Sequence, residues 1–331
     1  MYTAILTLLA GGVIVLIAAL LFTNAIEYLG FKMGWTGSFV GAILAPLFTS
    51  FPELTVFLVA IYLYGGISGE EIGIGTIYGQ PFMASSLSYG LVGLVVLIGY
   101  YIGTRDDLVL EVEKHLAIPY LFITILFPLT LVPALIQAYI VKVLFACLFL
   151  ASYITYTYMM YSRRVAEVSE EANPPYLIKV FKFENIAIAL QLFISILMLY
   201  YGSKVLVGSV DDIARYVGIE PIALSLIVVP AVTALPETAS ALIWGFRGKD
   251  TLSIASLVGE KILYSTFYPA LGIILTSWEY NIHAGLSVLA TTIISLILLY
   301  YIWRCKVPWY ALLIGLIFFI SYAYIVFILH I

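Results

Sequence analysis

The chain has 331 residues, of which 63% are hydrophobic and 10% charged, and its formal net charge is −4. A soluble globular chain carries roughly a quarter charged residues, so water is not the main solvent here. A net negative chain without clustered Lys and Arg also gives no nucleic-acid surface, and no stretch is left over for a separate soluble domain.

The first apolar stretch follows Met1-Tyr2-Thr3 with no basic leader and no small-residue cleavage site, which predicts a retained span rather than a signal peptide. Reading apolar runs between charged, Gly and Pro punctuation predicts ten spans, at about 3–29, 35–64, 71–102, 116–134, 137–161, 184–208, 219–246, 251–277, 281–303 and 308–330. The predicted fold is therefore all-α, ten transmembrane helices arranged as two inverted five-helix repeats with broken central helices. The first repeat is 1–161, with an ion-binding segment at 35–100; the second is 184–331, with its segment at 219–277.

Residues 162–183 form a polar linker carrying Arg163, Arg164, Glu167, Glu170, Glu171, Lys179 and Lys182. Basic residues divide unequally between the two sides of the spans. Lys32, Arg105, Lys114, Arg163, Arg164, Lys179, Lys182, Arg247, Lys249, Arg304 and Lys306 fall on one side, and Lys204 and Arg215 on the other. Cytoplasmic loops collect positive charge, so this is expected to be a multi-pass cell-membrane protein with a cytoplasmic linker and both termini extracellular. Lys142 and Lys261 fall inside predicted spans; Lys142, near a span end, can snorkel to the interface.

Sliding the chain over itself until Glu53 meets Glu237 also pairs Gly34 with Gly218, Pro46 with Pro230, Thr49 with Thr233 and Pro52 with Pro236, with Glu27 opposite Asp211. With an odd number of spans between the copies, the second enters the membrane from the opposite face, an inverted repeat of the kind secondary transporters use.

The paired segments, Pro46 to Glu53 and Pro230 to Glu237, lie in the middle of apolar runs. An unpaired ionised carboxylate in hydrocarbon costs several kcal/mol or more, so each Glu must be protonated, paired or bound to a cation. Pro52 and Pro236 remove a backbone N–H and break the helices beside Thr49 and Thr233, and carbonyl, hydroxyl and carboxylate oxygens are what hard cations bind. The alternative is a pair of kinked helices whose glutamates merely bond a neighbour; the twofold recurrence weighs against it.

Thr49-Ser50-Phe51-Pro52-Glu53 and the looser Thr233-Ala234-Leu235-Pro236-Glu237 resemble the α-repeats of the calcium/cation antiporter superfamily, which includes the sodium/calcium exchangers. The resemblance implies Glu53 and Glu237 as central ion ligands, supported by Thr49, Ser50 and Thr233. The partner helices depart from the family pattern. They read Gly75-Thr76-Ile77-Tyr78-Gly79-Gln80 and Ser256-Leu257-Val258-Gly259-Glu260-Lys261, placing Gln80 and Glu260 where the family has serine, and Ala84 and Tyr264 at the next ligand positions. Small residues at Gly75, Gly79, Ala255 and Gly259 are expected to allow close helix approach. Glu260 is a candidate third acidic ligand, and Lys261 either a tethered cation replacing a coupling ion or an ion-pair partner.

Glu27, Asp211 and Asp212 lie near span ends and fit an interface role. His115, His283 and His330 show no metal spacing and are expected to be solvated, and Cys147 and Cys305 suggest neither a disulfide nor a zinc site. The expected function is alternating-access antiport of Ca²⁺ or another divalent cation against Na⁺, the family's commoner design; the alternative coupling ion is H⁺, because the family's extra sodium ligands are missing. The partners are inorganic cations and the lipid bilayer, a monomer suffices, and no cofactor is implied. A cation channel is a remote alternative, since it has no need of an inverted repeat with broken helices. An intramembrane enzyme lacks its motifs, for no His-Glu-x-x-His and no Ser/His pairing lies within the spans.

Overall fold

Apolar segments in lipid must close their backbone hydrogen bonds internally, and this chain does so as helices. The computed structural model describes residues 2–33, 47–162, 173–179, 181 and 183–330. In chain order the helices are α1 (Tyr2–Lys32), α2 (Phe51–Leu58, continued by a π-helical turn, Val59–Tyr64), α3 (Gly66–Met83), a π-helical turn Ala84–Ser88, α4 (Tyr89–Ile102), α5 (Ala117–Leu129), α6 (Leu131–Leu135), α7 (Tyr139–Ser162), α8 (Glu184–Val217), α9 (Pro221–Thr233), α10 (Leu235–Phe246), α11 (Asp250–Leu263), α12 (Phe267–Leu275), α13 (Ile282–Trp303) and α14 (Trp309–Phe327). Two three-residue strands, β1 (Val109–Glu111) and β2 (Lys306–Pro308), pair antiparallel with Leu110 opposite Val307 and clip two loops together.

The expectation of ten spans is overturned. Among the described residues seven helices are long and apolar enough to cross a membrane, or up to eight if the bent pair α9–α10 counts as one. The physical reason lies in the three central segments. The predicted span 35–64 is described from residue 47, and there a helical stretch at 47–49 breaks at Ser50 before the apolar helix Phe51–Tyr64; Gly34, Pro46 and the start of that span lie outside the described residues. The predicted span 219–246 bends by 61° between α9 and α10. The predicted span 251–277 divides into α11 and α12, separated by Tyr264–Thr266. The linker residues Arg163, Arg164, Glu167, Glu170, Glu171 and Lys182 also lie outside the described residues.

The two longest helices, α1 and α8, pack along each other. Small residues let their backbones approach: a Cβ on Gly11 would sit 2.9 Å from the Leu206 nitrogen. One end of this pair is tied by Gln191 Nε2 donating to Asn24 Oδ1 at 2.9 Å and by Lys32 with Glu184 at 2.7 Å. At the other end Tyr64 donates to the buried Asp211 at 2.5 Å, and Arg215 lies 2.8 Å from the same carboxylate. Asp211 thus has the interface role expected of it.

Behind α1 and α8, α3 packs against α9 and α13, and α10 against α4 and α11. The close approach expected at Gly75 and Gly79 is present, since a Cβ at Gly79 would lie 2.5 Å from the Leu226 carbonyl oxygen. Gly259 differs, for it faces open space. Arg105 closes one end of the bundle, donating to the Gly245 carbonyl at 2.5 Å and gripping Asp250 through two bonds of 2.6 and 3.1 Å.

His283 corrects a second expectation. It is buried, not solvated, because Asn281 caps α13 beneath it and Tyr322 takes its Nδ1 at 3.1 Å. Lys142 binds the Ser277 carbonyl at an exposed helix start. Both cysteines are exposed free thiols.

Candidate ion-binding site

Two matching backbone breaks organise the site. Residues 47–49 are helical, Ser50 leaves the helix at φ −87° and ψ 12°, and α2 restarts with Pro52 in its first turn. In the second copy α9 ends at Thr233, Ala234 has φ −89° and ψ 10°, and α10 restarts with Pro236 in its first turn. Proline suits a first turn because the N–H it lacks needs no intrahelical partner there. Pro236 also supplies no N–H to the Val232 carbonyl one turn back. Each glutamate therefore sits in the first turn of a new helix, where the positive end of the helix dipole favours a carboxylate.

Glu53 is 2% exposed, and Glu237 and Glu260 are half-buried. Glu53 and Glu237 lie in each other's electrostatic field, and Glu260, from α11, feels both. Gln80 of α3 bridges the two breaks, its Nε2 donating to Thr233 Oγ1 at 2.7 Å and to Glu53 Oε1 at 3.3 Å. Thr233 Oγ1 in turn donates to the Val229 carbonyl at 3.2 Å. Ser50 is buried beneath Tyr268, whose hydroxyl donates to the Ser50 carbonyl at 2.7 Å and to its Oγ at 2.9 Å. Thr49 occupies the last helical position before the break and is half-buried.

Several buried oxygens around these groups have no hydrogen-bond partner: Glu53 Oε2, Glu237 Oε2, Gln80 Oε1 and the Tyr264 hydroxyl. Buried polar atoms are nearly always bonded, so four orphans around one pair of breaks mark a place that accepts something from outside the chain. All four are oxygens, the donor set of a hard cation. Among the described residues no three His, Cys, Asp or Glu side chains are drawn close enough to form a ready-made metal cluster. The carboxylates are thus gathered without being closed on one point.

Lys261 does not face these carboxylates. Its side chain is 1% exposed, donates to Ser295 Oγ at 3.0 Å, and lies over the rings of Tyr120 at 5.2 Å and Tyr89 at 5.4 Å. Successive residues on a helix point about 100° apart, which separates it from Glu260. Among the described residues it has no acidic partner.

Three contributors were not assigned to the site from the sequence. Tyr268 holds the first break, and nothing in its spacing signals this. Ser88, at the end of the π-helical turn after α3, bonds Thr238 one residue past Glu237 at 2.8 Å. Glu27 of α1, placed at an interface by its position near a span end, lies in the electrostatic field of Glu237. The only sequence signal for Glu27 was its register opposite Asp211.

Residues 3–162 and 187–330 match the family described as sodium/calcium exchanger protein. The chain belongs to this family. It is a divergent member of the calcium/cation antiporter superfamily, and hence a multi-pass membrane transporter of inorganic cations and not an enzyme. Its fold is similar to a solved H⁺/Ca²⁺ exchanger, CAX, at 14% identity and a TM-score of 0.71, covering 99% of this chain and 85% of that one. It is also similar to native YfkE, at 17% identity and a TM-score of 0.68, covering 97% of this chain and 92% of that one. A third structure, the sodium-calcium exchanger NCX_Mj soaked with Na⁺ and Sr²⁺, matches at 20% identity and a TM-score of 0.56, covering 97% of each chain. No curated protein matches the sequence.

Proposed function

We propose that this exchanger carries a divalent cation, Ca²⁺ foremost, against protons, with Glu53, Glu237 and Glu260 as the groups that alternate between the two. The supporting observation is that unbonded carboxylate oxygens of Glu53 and Glu237 lie at the two breaks while Lys261, next to Glu260 in the chain, is turned into an aromatic cage. With no resident countercharge among the described residues, the site is neutral when all three carboxylates hold protons, or when a divalent ion sits on two of them and the third keeps its proton. A divalent ion displacing two protons leaves the total charge unchanged, so both loaded forms tolerate the low-dielectric midplane. The bare pocket does not, and this disfavours an uncoupled slip of the empty carrier.

The departures at Gln80, Glu260, Ala84 and Tyr264 point the same way, since the family's supporting ligands at those positions are replaced. Likeness of fold to the H⁺/Ca²⁺ exchanger, with a TM-score of 0.71 against 0.56 for the sodium-calcium exchanger, adds support. The two motif-bearing halves are proposed as inverted copies that present their breaks to opposite faces, with the basic loops cytoplasmic and both termini extracellular. The sodium reading keeps one feature in its favour, the intact Thr49-Ser50-Phe51-Pro52-Glu53 motif.

Uptake of ⁴⁵Ca²⁺ into proteoliposomes decides between the coupling ions. A pH gradient, acid inside, is expected to drive uptake without sodium. Uptake that requires a sodium gradient and ignores pH sinks the proton reading.

A further inference from the structure

Outside the ion site, a cleft of about 830 Å³ opens between the N-terminal end of α5 and the C-terminal end of α13. Its floor is apolar, formed by Ile118, Leu121 and Leu299. Its rim carries two cations held by aromatic faces: Lys114 Nζ lies 4.6 Å from the centre of the Trp303 ring, and the Arg304 guanidinium 4.3 Å from that of Tyr300. Neither cation has an acidic partner among the described residues. The nearby Glu113 carboxylate is engaged instead by His115 Nδ1 at 3.0 Å.

We propose that this cleft binds an anionic phospholipid, with its phosphate between Lys114 and Arg304 and its acyl chains running along α5 and α13. Three observations select that occupant. The paired cations demand an anion, and the apolar floor demands hydrocarbon attached to it. Beyond the cleft, the same two helices expose the apolar side chains of Leu121, Ile125 and Leu296. Trp303, 62% exposed beside the cations, sits where an interfacial aromatic belongs. Basic clusters between spans are suited to acidic headgroups, and the β1–β2 clip places this rim at the same end of the bundle as Arg105. The inference is independent of which ions are exchanged.

The test uses the full chain in phosphatidylcholine nanodiscs with and without phosphatidylglycerol. Thermal unfolding and native mass spectrometry report preference for the acidic lipid. Wild type and a Lys249→Gln control are expected to favour phosphatidylglycerol. The double variant Lys114→Gln/Arg304→Gln is expected to lose that preference by a factor on the order of tenfold. Equal effects of the two lipids, or an unchanged preference in the double variant, overturn the proposal. Glycerol phosphate stabilising the protein as well as the lipid does would mark a free-phosphate site, and overturns it too. Should the double variant not fold, photoreactive phosphatidylglycerol on the wild type decides: crosslinks are expected on α5 and the end of α13, and labelling confined elsewhere rejects the site.

Discussion

Gln80 on α3 donates to Thr233 Oγ1 at 2.7 Å, so a side chain from the first half of the molecule ties down the backbone break of the second. The same amide nitrogen reaches Glu53 at 3.3 Å, and the amide oxygen is left unbonded. Replacing Gln80 by Ala is expected to weaken divalent-ion affinity about tenfold, as loss of an orienting partner does. Saturation curves of ⁴⁵Ca²⁺ uptake measure it, and an unchanged half-saturation concentration counts against the bridge.

Glu53→Gln and Glu237→Gln each retain shape and lose a charge. Each is expected to reduce divalent exchange at least about a hundredfold, since a direct ligand matters more than its orienting neighbours. Unfolding of the ion-free protein is expected to shift upward or stay level, because carboxylate repulsion is relieved. Full uptake by either variant removes that residue from the site.

On the proton-exchange proposal, protons and metal compete for the same oxygens, so apparent Ca²⁺ affinity is expected to fall as the pH is lowered. Metal binding releases the protons held by the ion-free carboxylates, giving a limiting slope of about two protons per ion. At high pH, where no proton remains to be displaced, affinity becomes level. Calorimetry in buffers of different ionisation enthalpy counts the protons released, and a count of zero rejects proton exchange at this pocket.

Lys261 is surrounded by Tyr89, Tyr120 and Ser295. Substitution by Met fills the same volume and removes an amine that pairs with no carboxylate among the described residues. Stability is expected to change by less than about 1 kcal/mol, as the lost cation–π contact is offset by relief from burying the amine. Coupling-ion dependence is expected to persist, and a changed dependence would restore Lys261 to the transport cycle.

Arg105 is 7% exposed and grips Asp250 through both terminal guanidinium nitrogens, joining α4, α10 and α11. Asp250→Ala leaves that guanidinium buried without its countercharge and is expected to cost about 3 kcal/mol. Thermal unfolding in detergent checks the loss, with Asp107→Ala, near the same loop, as a control.

Much of the site was legible in the linear chain because the signal is local. A carboxylate two turns inside an apolar run, preceded by proline and repeated once, already demands a break and a partner. The matching backbone angles of Ser50 and Ala234 follow from those prolines. The span count was less legible: the prolines and the Tyr264–Thr266 break cut the central segments into pieces that hydropathy alone runs together. His283 was misread for a related reason, since its place near a loop says nothing of Tyr322 closing over it.

The amino-acid sequence alone determined that this chain lives in a membrane, belongs among cation exchangers and carries two matching buried-run glutamates, Glu53 and Glu237, behind matching prolines. Those conclusions rest on composition and on motifs a few residues long. The tertiary structure decided that Gln80 spans the two breaks, that Tyr268 pins Ser50, and that Lys261 faces aromatic rings while its neighbour Glu260 lies in the electrostatic field of Glu53 and Glu237. Helical rotation sets which of two adjacent side chains meets the ion, and the packing of distant helices sets what each one touches, so neither is encoded within any single stretch of chain.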